Sequence, residues 1–215
     1  MLVIFDCDGV LVDSEPLANA SFARALAREG IDWSVEETMR RLMGRSMKSC
    51  LEIIEGVLAR ELPATFLEDL QAETYQAFSD APLQAVPGVA EAVQALQATG
   101  VKTCVASSGA HEKMRFTLGL TGLWPLFEGR VFSASEVLRG KPFPDLFLHA
   151  ASCMGVAPAD CVVVEDAVPG VQAARAAGMR SLAYAGAPHA HRAELAAAGA
   201  EIFDDMSLLP AFVTQ

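Results

Sequence analysis

The chain predicts an α/β fold: a doubly wound, mostly parallel, Rossmann-like sheet with an all-helical subdomain inserted after its first strand. Three observations lead there. Short apolar, β-branched runs alternate with helically spaced segments through the second half, at 101–108, 129–134, 160–166 and 179–186, which is the pattern of βαβ units. An earlier run, LVIF at 2–5, is apolar without interruption, as a strand buried on both faces requires. Between it and the next strand, residues 15–80 hold four helically spaced stretches and no convincing strand.

Taken in order, the first strand ends in FDCDGV, with Asp6 and Asp8 one residue apart and Gly9 behind them. Side chains alternate along a strand, so the two carboxylates share a face only while the chain stays extended, and Gly9 marks a turn. Such a cluster is either an Asp-rich turn that caps a helix or a site that holds a cation. Next come PLANASFARALAREG, SVEETMRRLMG, SMKSCLEIIEGVLARE and PATFLEDLQAETYQAF. Pro16, Ser34 and Pro63 fit helix starts, and Gly30 and Gly44 fit stops. DSEP (13–16) and SDAPLQAVPG (79–88) are the natural hinges, which gives a core of 1–14 and 82–215 and a helical cap of 15–81. Beyond them, Val89, Val93 and Leu96 form one stripe that stops at Gly100, and VPGVQAARAAGM ends similarly at Gly178. The Ala-rich tract 187–200 comes nearest to low complexity.

Composition bounds the function. With 215 residues, 52% of them apolar, the chain can bury a sizeable core. No stretch approaches the roughly 18 apolar residues of a membrane span, and MLVIFDCD lacks the basic flank of a signal peptide. The expectation is a soluble cytoplasmic monomer with no membrane partner. Five cysteines (7, 50, 104, 153, 161) without a CxxC pair read as reduced core residues. A net charge of −11 argues against nucleic acid, although local cations can still hold a small anionic substrate.

In open parallel sheets, ligands bind beyond the carboxyl ends of the strands. Asp6 and Asp8 follow the first strand; Ser107, Ser108 and Gly109 follow VKTCVA; Lys141 lies in GKPFPD; Glu165 and Asp166 follow CVVV. Each alone reads as a cap or a rigid loop. Together they place hydroxyls, a lysine and several carboxylates on one rim.

These four motifs, FDCDGV, VASSG, GKPFPD and VEDAVPG, resemble those of the haloacid dehalogenase superfamily of phosphotransferases. The resemblance spans essentially the whole chain. The helical insertion matches the branch of phosphoglycolate phosphatase-like and β-phosphoglucomutase-like enzymes. It implies Mg²⁺ held by Asp6, the Asp8 carbonyl and Asp166, with Glu165 joining directly or through water. It also implies Asp6 as the nucleophile that forms an aspartyl-phosphate, and Asp8 as general acid and then base. Ser107, with the backbone at Ser108, would hydrogen-bond the phosphoryl oxygens, and Lys141 would balance charge. Glu15, at the hinge, would face the substrate. Arg45, in the cap loop LMGRSMK, would meet a second anionic or polyhydroxyl group. The substrate is then a small phosphorylated metabolite such as a sugar phosphate.

Within the superfamily, dehalogenases lack the second aspartate and phosphonoacetaldehyde hydrolases use a cap lysine; here Asp8 is present and Lys48 is the only cap lysine. β-Phosphoglucomutases carry a cap histidine where this chain has Ala18, and Met47 falls at an expected arginine. Phosphatase is therefore the reading, with mutase the alternative and a non-catalytic phosphosugar-binding domain a third. His111, His149, His189 and His191 lie outside the motifs and read as surface or packing residues.

Overall fold

The computed structural model describes residues 1–43, 45, 47–81, 83–188 and 190–214. Six parallel strands form one sheet in the order β3-β2-β1-β4-β5-β6: β1 Leu2–Phe5, β2 Lys102–Ser107, β3 Val131–Ser133, β4 Cys161–Glu165, β5 Arg180–Tyr184 and β6 Glu201–Phe203. The order runs outward in both directions from β1, so the fold is doubly wound as predicted. Phe5 is in register with Val105 on one side and Val164 on the other. That pairing sets the ends of β1, β2 and β4 side by side, which is where the crevice of such a sheet opens.

The period of two sorts the strands onto two cores. Val3, Phe5, Val105 and Val164 pack under α5 (Val89–Ala98), α6 (His111–Leu120) and α11 (Leu209–Val213), together with α7 (Trp124–Phe127). Leu2, Ile4, Cys104 and Val163 face α8 (Asp145–Cys153) and α9 (Val168–Ala176). Burial on both faces accounts for the uninterrupted apolar β1.

Four helices lie between β1 and α5: α1 Glu15–Arg28, α2 Val35–Leu42, α3 Met47–Leu58 and α4 Phe66–Asp80. Their apolar stripes meet in a core of their own, with Phe22, Leu26, Leu42, Cys50, Ile54, Phe66 and Leu70. Ser34 caps α2 by accepting the Glu37 amide, as its position suggests. The outgoing and returning chains run beside each other: Asp13 N donates to Gln84 O and Val86 N to Leu11 O.

Four details differ from the sequence reading. Pro63 does not start a helix; its carbonyl accepts the Phe66 amide, and α4 begins at Phe66. β6, with only three residues, has no counterpart there, and α10 (Arg192–Ala198) occupies the Ala-rich tract. Cys153 is exposed on α8, whereas the other four cysteines are buried and all five are free thiols. The stop expected at Gly44, and His189, lie outside the described residues. Among the described residues no helix is long and apolar enough to cross a membrane.

Candidate active site

β1 delivers Asp6 to the centre of the rim, where it is 5% exposed. The Lys141 ammonium, 2% exposed, donates to Asp6 Oδ1 at 2.8 Å and to Glu165 Oε1 at 2.6 Å. The second oxygen of Glu165 accepts the amides of Asp166 (3.0 Å) and Ala167 (3.1 Å). Glu165 thus ties the turn after β4 to the lysine from the loop before α8. A buried charge is tolerated when it is paired and hydrogen-bonded, and Lys141 is both.

Two glycines make room for this arrangement. Gly9 has φ +78°, and a Cβ there would stand 2.0 Å from Asp166 Oδ2; at Gly170 it would stand 1.8 Å from Glu165 Oε1. No other residue fits these places without moving a carboxylate.

Asp6, Glu165 and Asp166 each offer a carboxylate oxygen within 4.8 Å of the other two. Burial raises the Asp166 pKa well above the ordinary carboxylate value, and the Glu165 and Asp6 charges add to it. Asp6 is pushed up to about 6 by burial, against the pull of Lys141. Hard oxygen donors crowded at mutual electrostatic cost fit a hard divalent cation such as Mg²⁺.

Asp8 is not one of these three clustered carboxylates, and both its oxygens are engaged. Lys113, in the first turn of α6, donates to Oδ2 at 2.8 Å, and the Ser14 hydroxyl donates to Oδ1. Burial opposes its ionisation, but Lys113 and Ser14 outweigh that and hold the carboxyl below its ordinary value. Ser107 Oγ accepts the Gly109 amide at 3.1 Å, which leaves its proton for another acceptor. Ser133 Oγ donates to the Gly109 carbonyl at 2.7 Å and pins the same loop. Glu15 accepts from Asn19 Nδ2 at 2.6 Å; burial first and the Asp8 charge second raise it to about 7.

A cavity of about 330 Å³ opens between this rim and the inserted helices, within the range of small-ligand sites. Asp6, Asp8, Ser107, Ser108 and Lys113 line it from the sheet side; Glu15, Arg45 and several apolar residues, Ala18 and Met47 among them, line the other. The structure therefore brings every sequence-predicted rim residue together. Lys141, Glu165 and Asp166 support Asp6 without lining the cavity. Arg45 reaches the wall, although its Nε donates to the Arg41 carbonyl on its own segment. His111 and His149 share Glu136 at the surface.

Lys113 and Ser14 were not among the predicted site residues. The signal for Lys113 was a lysine placed in the first turn of a helix, where the helix dipole disfavours a cation by about 0.3–1 kcal/mol.

A doubly wound core with an acidic rim, a buried Lys141 and a partly buried Lys113 suits a hydrolase acting on phosphate esters. Residues 1–178 match the family model of the haloacid dehalogenase-like hydrolases, and the chain belongs to that family. It is 31% identical over 187 residues to the 6-phosphogluconate phosphatase of Escherichia coli, covering 87% of this chain and 83% of that one. A conserved haloacid dehalogenase-like protein from Agrobacterium tumefaciens superposes with TM-score 0.82 at 36% identity, covering 99% and 97%. A putative β-phosphoglucomutase from Thermotoga maritima superposes with TM-score 0.74 at 29% identity, covering 98% and 97%.

Proposed function

We propose that this phosphatase hydrolyses the monoester of a small phosphorylated metabolite, a sugar phosphate or its open-chain acid, through an aspartyl-phosphate on Asp6. The supporting observation is the pairing of a lysine-buttressed Asp6 with a separately held Asp8 at the mouth of one cavity. Asp6 and Asp166, with the Asp8 carbonyl, would hold Mg²⁺, which when bound offsets the negative charge that repels an incoming carboxylate. Glu165 has both oxygens taken by Lys141 and two amides, so we assign its contact with the metal to an intervening water.

Asp6 attacks phosphorus while Asp8, ionised in the free site and protonated by the incoming phosphate monoanion, gives that proton to the departing alkoxide; Asp8 then takes a proton from the water that cleaves the acyl phosphate. The Ser107 hydroxyl and the Ser108 segment hold phosphoryl oxygens, and Lys141 keeps Asp6 ionised and in line. Residues 1–14 and 82–215 form the catalytic core, and 15–81 a cap that carries selection through Glu15 and Arg45.

Mutase activity is the second reading, favoured by the Thermotoga maritima relative and disfavoured by Ala18 and Met47 in the cavity wall. A mutase must hold a second sugar hydroxyl over the phosphoaspartate and exclude water. A panel of phosphorylated metabolites assayed for phosphate release with Mg²⁺ tests the proposal, and release from polyhydroxy phosphates is expected. Glucose 6-phosphate accumulating from β-glucose 1-phosphate plus a trace of the 1,6-bisphosphate, faster than free phosphate, would establish the mutase instead.

A further inference from the structure

We propose that Lys113 is a positioning residue for the proton transfer: it fixes the carboxyl of Asp8 so that one defined oxygen meets the leaving group. Asp8 touches two donors of different kind. Lys113 Nζ binds Oδ2 at 2.8 Å, and the Ser14 hydroxyl binds Oδ1. An ammonium only donates, whereas a hydroxyl donates or accepts. Oδ2 therefore stays an acceptor for as long as Lys113 holds it, and the transferable proton belongs on Oδ1, where Ser14 can reverse its role.

The placement supports a dedicated part. Lys113 stands in the first turn of a ten-residue helix, and the carboxylate it binds lies 105 residues away in the chain, on a different element. Its side chain is 26% exposed and Asp8's 13%, and both line the cavity. The stem passes over the loop that carries Ser107: a Cβ on Gly109 would lie 3.6 Å from Lys113 Cδ, 3.6 Å from Ser107 Oγ and 3.8 Å from Asp8 Oδ2. Lysine, proton donor and phosphoryl-binding hydroxyl thus meet around one glycine. Lys113 itself gives up no proton. In the step it serves, the Asp6 oxygen–phosphorus bond forms, the ester oxygen–phosphorus bond breaks, and the Asp8 proton goes to the ester oxygen.

This role rests on the reading of Asp8 as the acid, and leaving groups separate the two. A nitrophenolate departs without a proton, while an alkoxide needs one. The measurement is kcat/KM, which covers events up to departure of the alcohol, for an alkyl ester such as 6-phosphogluconate and for p-nitrophenyl phosphate. Their ratio in one preparation is independent of how much of a variant folds.

Asp8→Asn should depress the alkyl ester about 100-fold more than the aryl ester. Lys113→Met should shift the same ratio about 10-fold, through kcat more than KM, and Lys113→Arg should restore most of it. Equal losses on both esters in Lys113→Met, with Asp8→Asn still discriminating, would overturn the positioning role. Equal losses in Asp8→Asn as well would show that the acid assignment has failed, and the proposal with it.

Discussion

The two walls of the cavity satisfy their polar groups in opposite ways. On the sheet side the partners are remote in sequence: Asp6 with Lys141 across 135 residues, and Asp8 with Lys113 across 105. On the cap side they sit one helical turn apart: Asn19 with Glu15, Thr74 with the Leu70 carbonyl, Gln71 with Tyr75, and Arg45 with the Arg41 carbonyl. The rim exists only once the sheet is assembled, whereas the cap wall makes its hydrogen bonds over short stretches of chain, the longest of them from Cys50 to the Leu42 carbonyl. A wall of the second kind can shift, or change residues, without stranding a buried charge; one of the first kind cannot. The chemistry is accordingly expected to be brittle on one side and selection adjustable on the other.

The strongest way to break that contrast is at Asp6. On the proposed mechanism Asp6→Asn takes away the attacking oxygen and one charge on the metal but keeps the shape, so phosphate release should fall by about 10³-fold or more with the fold intact by circular dichroism. Chelation of Mg²⁺ should abolish turnover as fully, and Ca²⁺ should inhibit, because its looser coordination lets Asp6 bind the ion out of line for attack. Retention of a tenth of the rate in Asp6→Asn would exclude the aspartyl-phosphate route.

A second pair of substitutions tests brittleness in the scaffold. Gly170→Ala drives a methyl group to within 1.8 Å of Glu165 Oε1, which should cost about 1–3 kcal/mol and disturb Lys141 as well. Gly56, inside α3, has open space where a methyl group would stand, with nothing within 4 Å, so Gly56→Ala should be neutral or stabilise by up to about 1 kcal/mol. Thermal melts check both. Equal destabilisation would erase the distinction between the scaffold behind the rim and the cap.

The same contrast explains what could be read from the sequence. Asp6, Ser107, Lys141, Glu165 and Asp166 were legible because each ends or follows a strand or opens the loop before a helix, and a doubly wound sheet gathers such ends at one edge. The cap helices were legible because their stripes are long and their starts carry Pro16 and Ser34. Lys113 was not, since its meaning lies in a carboxylate 105 residues distant, and one lysine on a helix looks like solvated charge. β6 escaped because Glu201–Phe203 is too short to show alternation, and Pro63 misled because proline also serves in the turn ahead of a helix. Cys153 shows the limit of composition: a thiol in an apolar helix can still sit on its outer face.

Selection should respond more gently. Arg45→Ala should lower kcat/KM for a substrate with a second anionic group by about 10-fold, the scale of one exposed charge contact. It should leave p-nitrophenyl phosphate within about 2-fold, because that ester offers Arg45 no second charge. A uniform loss on both would move Arg45 from selection to the chemistry.

The smallest expected effect is a pH dependence at the hinge. Glu15 opens α1, and burial together with the Asp8 charge raises its pKa from 4.5 to about 7. Between those values the folded protein keeps a proton that the unfolded chain releases, so its contribution to stability is complete below about pH 4.5 and is lost as pH rises through 7. Glu15→Gln cannot ionise and keeps an oxygen for Asn19. The side chain is only partly buried, so solvent screens the effect, and about 1 kcal/mol is expected, or 2–4 °C in Tm for a chain of this size. Asp6, Asp8 and Asp166 titrate in both proteins, so the difference between the two melting curves reports position 15 together with its charge coupling to Asp8 and Asp166. The variant should melt with the wild type near pH 4.5 and above it beyond about pH 7.5. A constant offset across that range would mean that Glu15 is ionised in the folded protein throughout, held by Lys113 more firmly than burial opposes it.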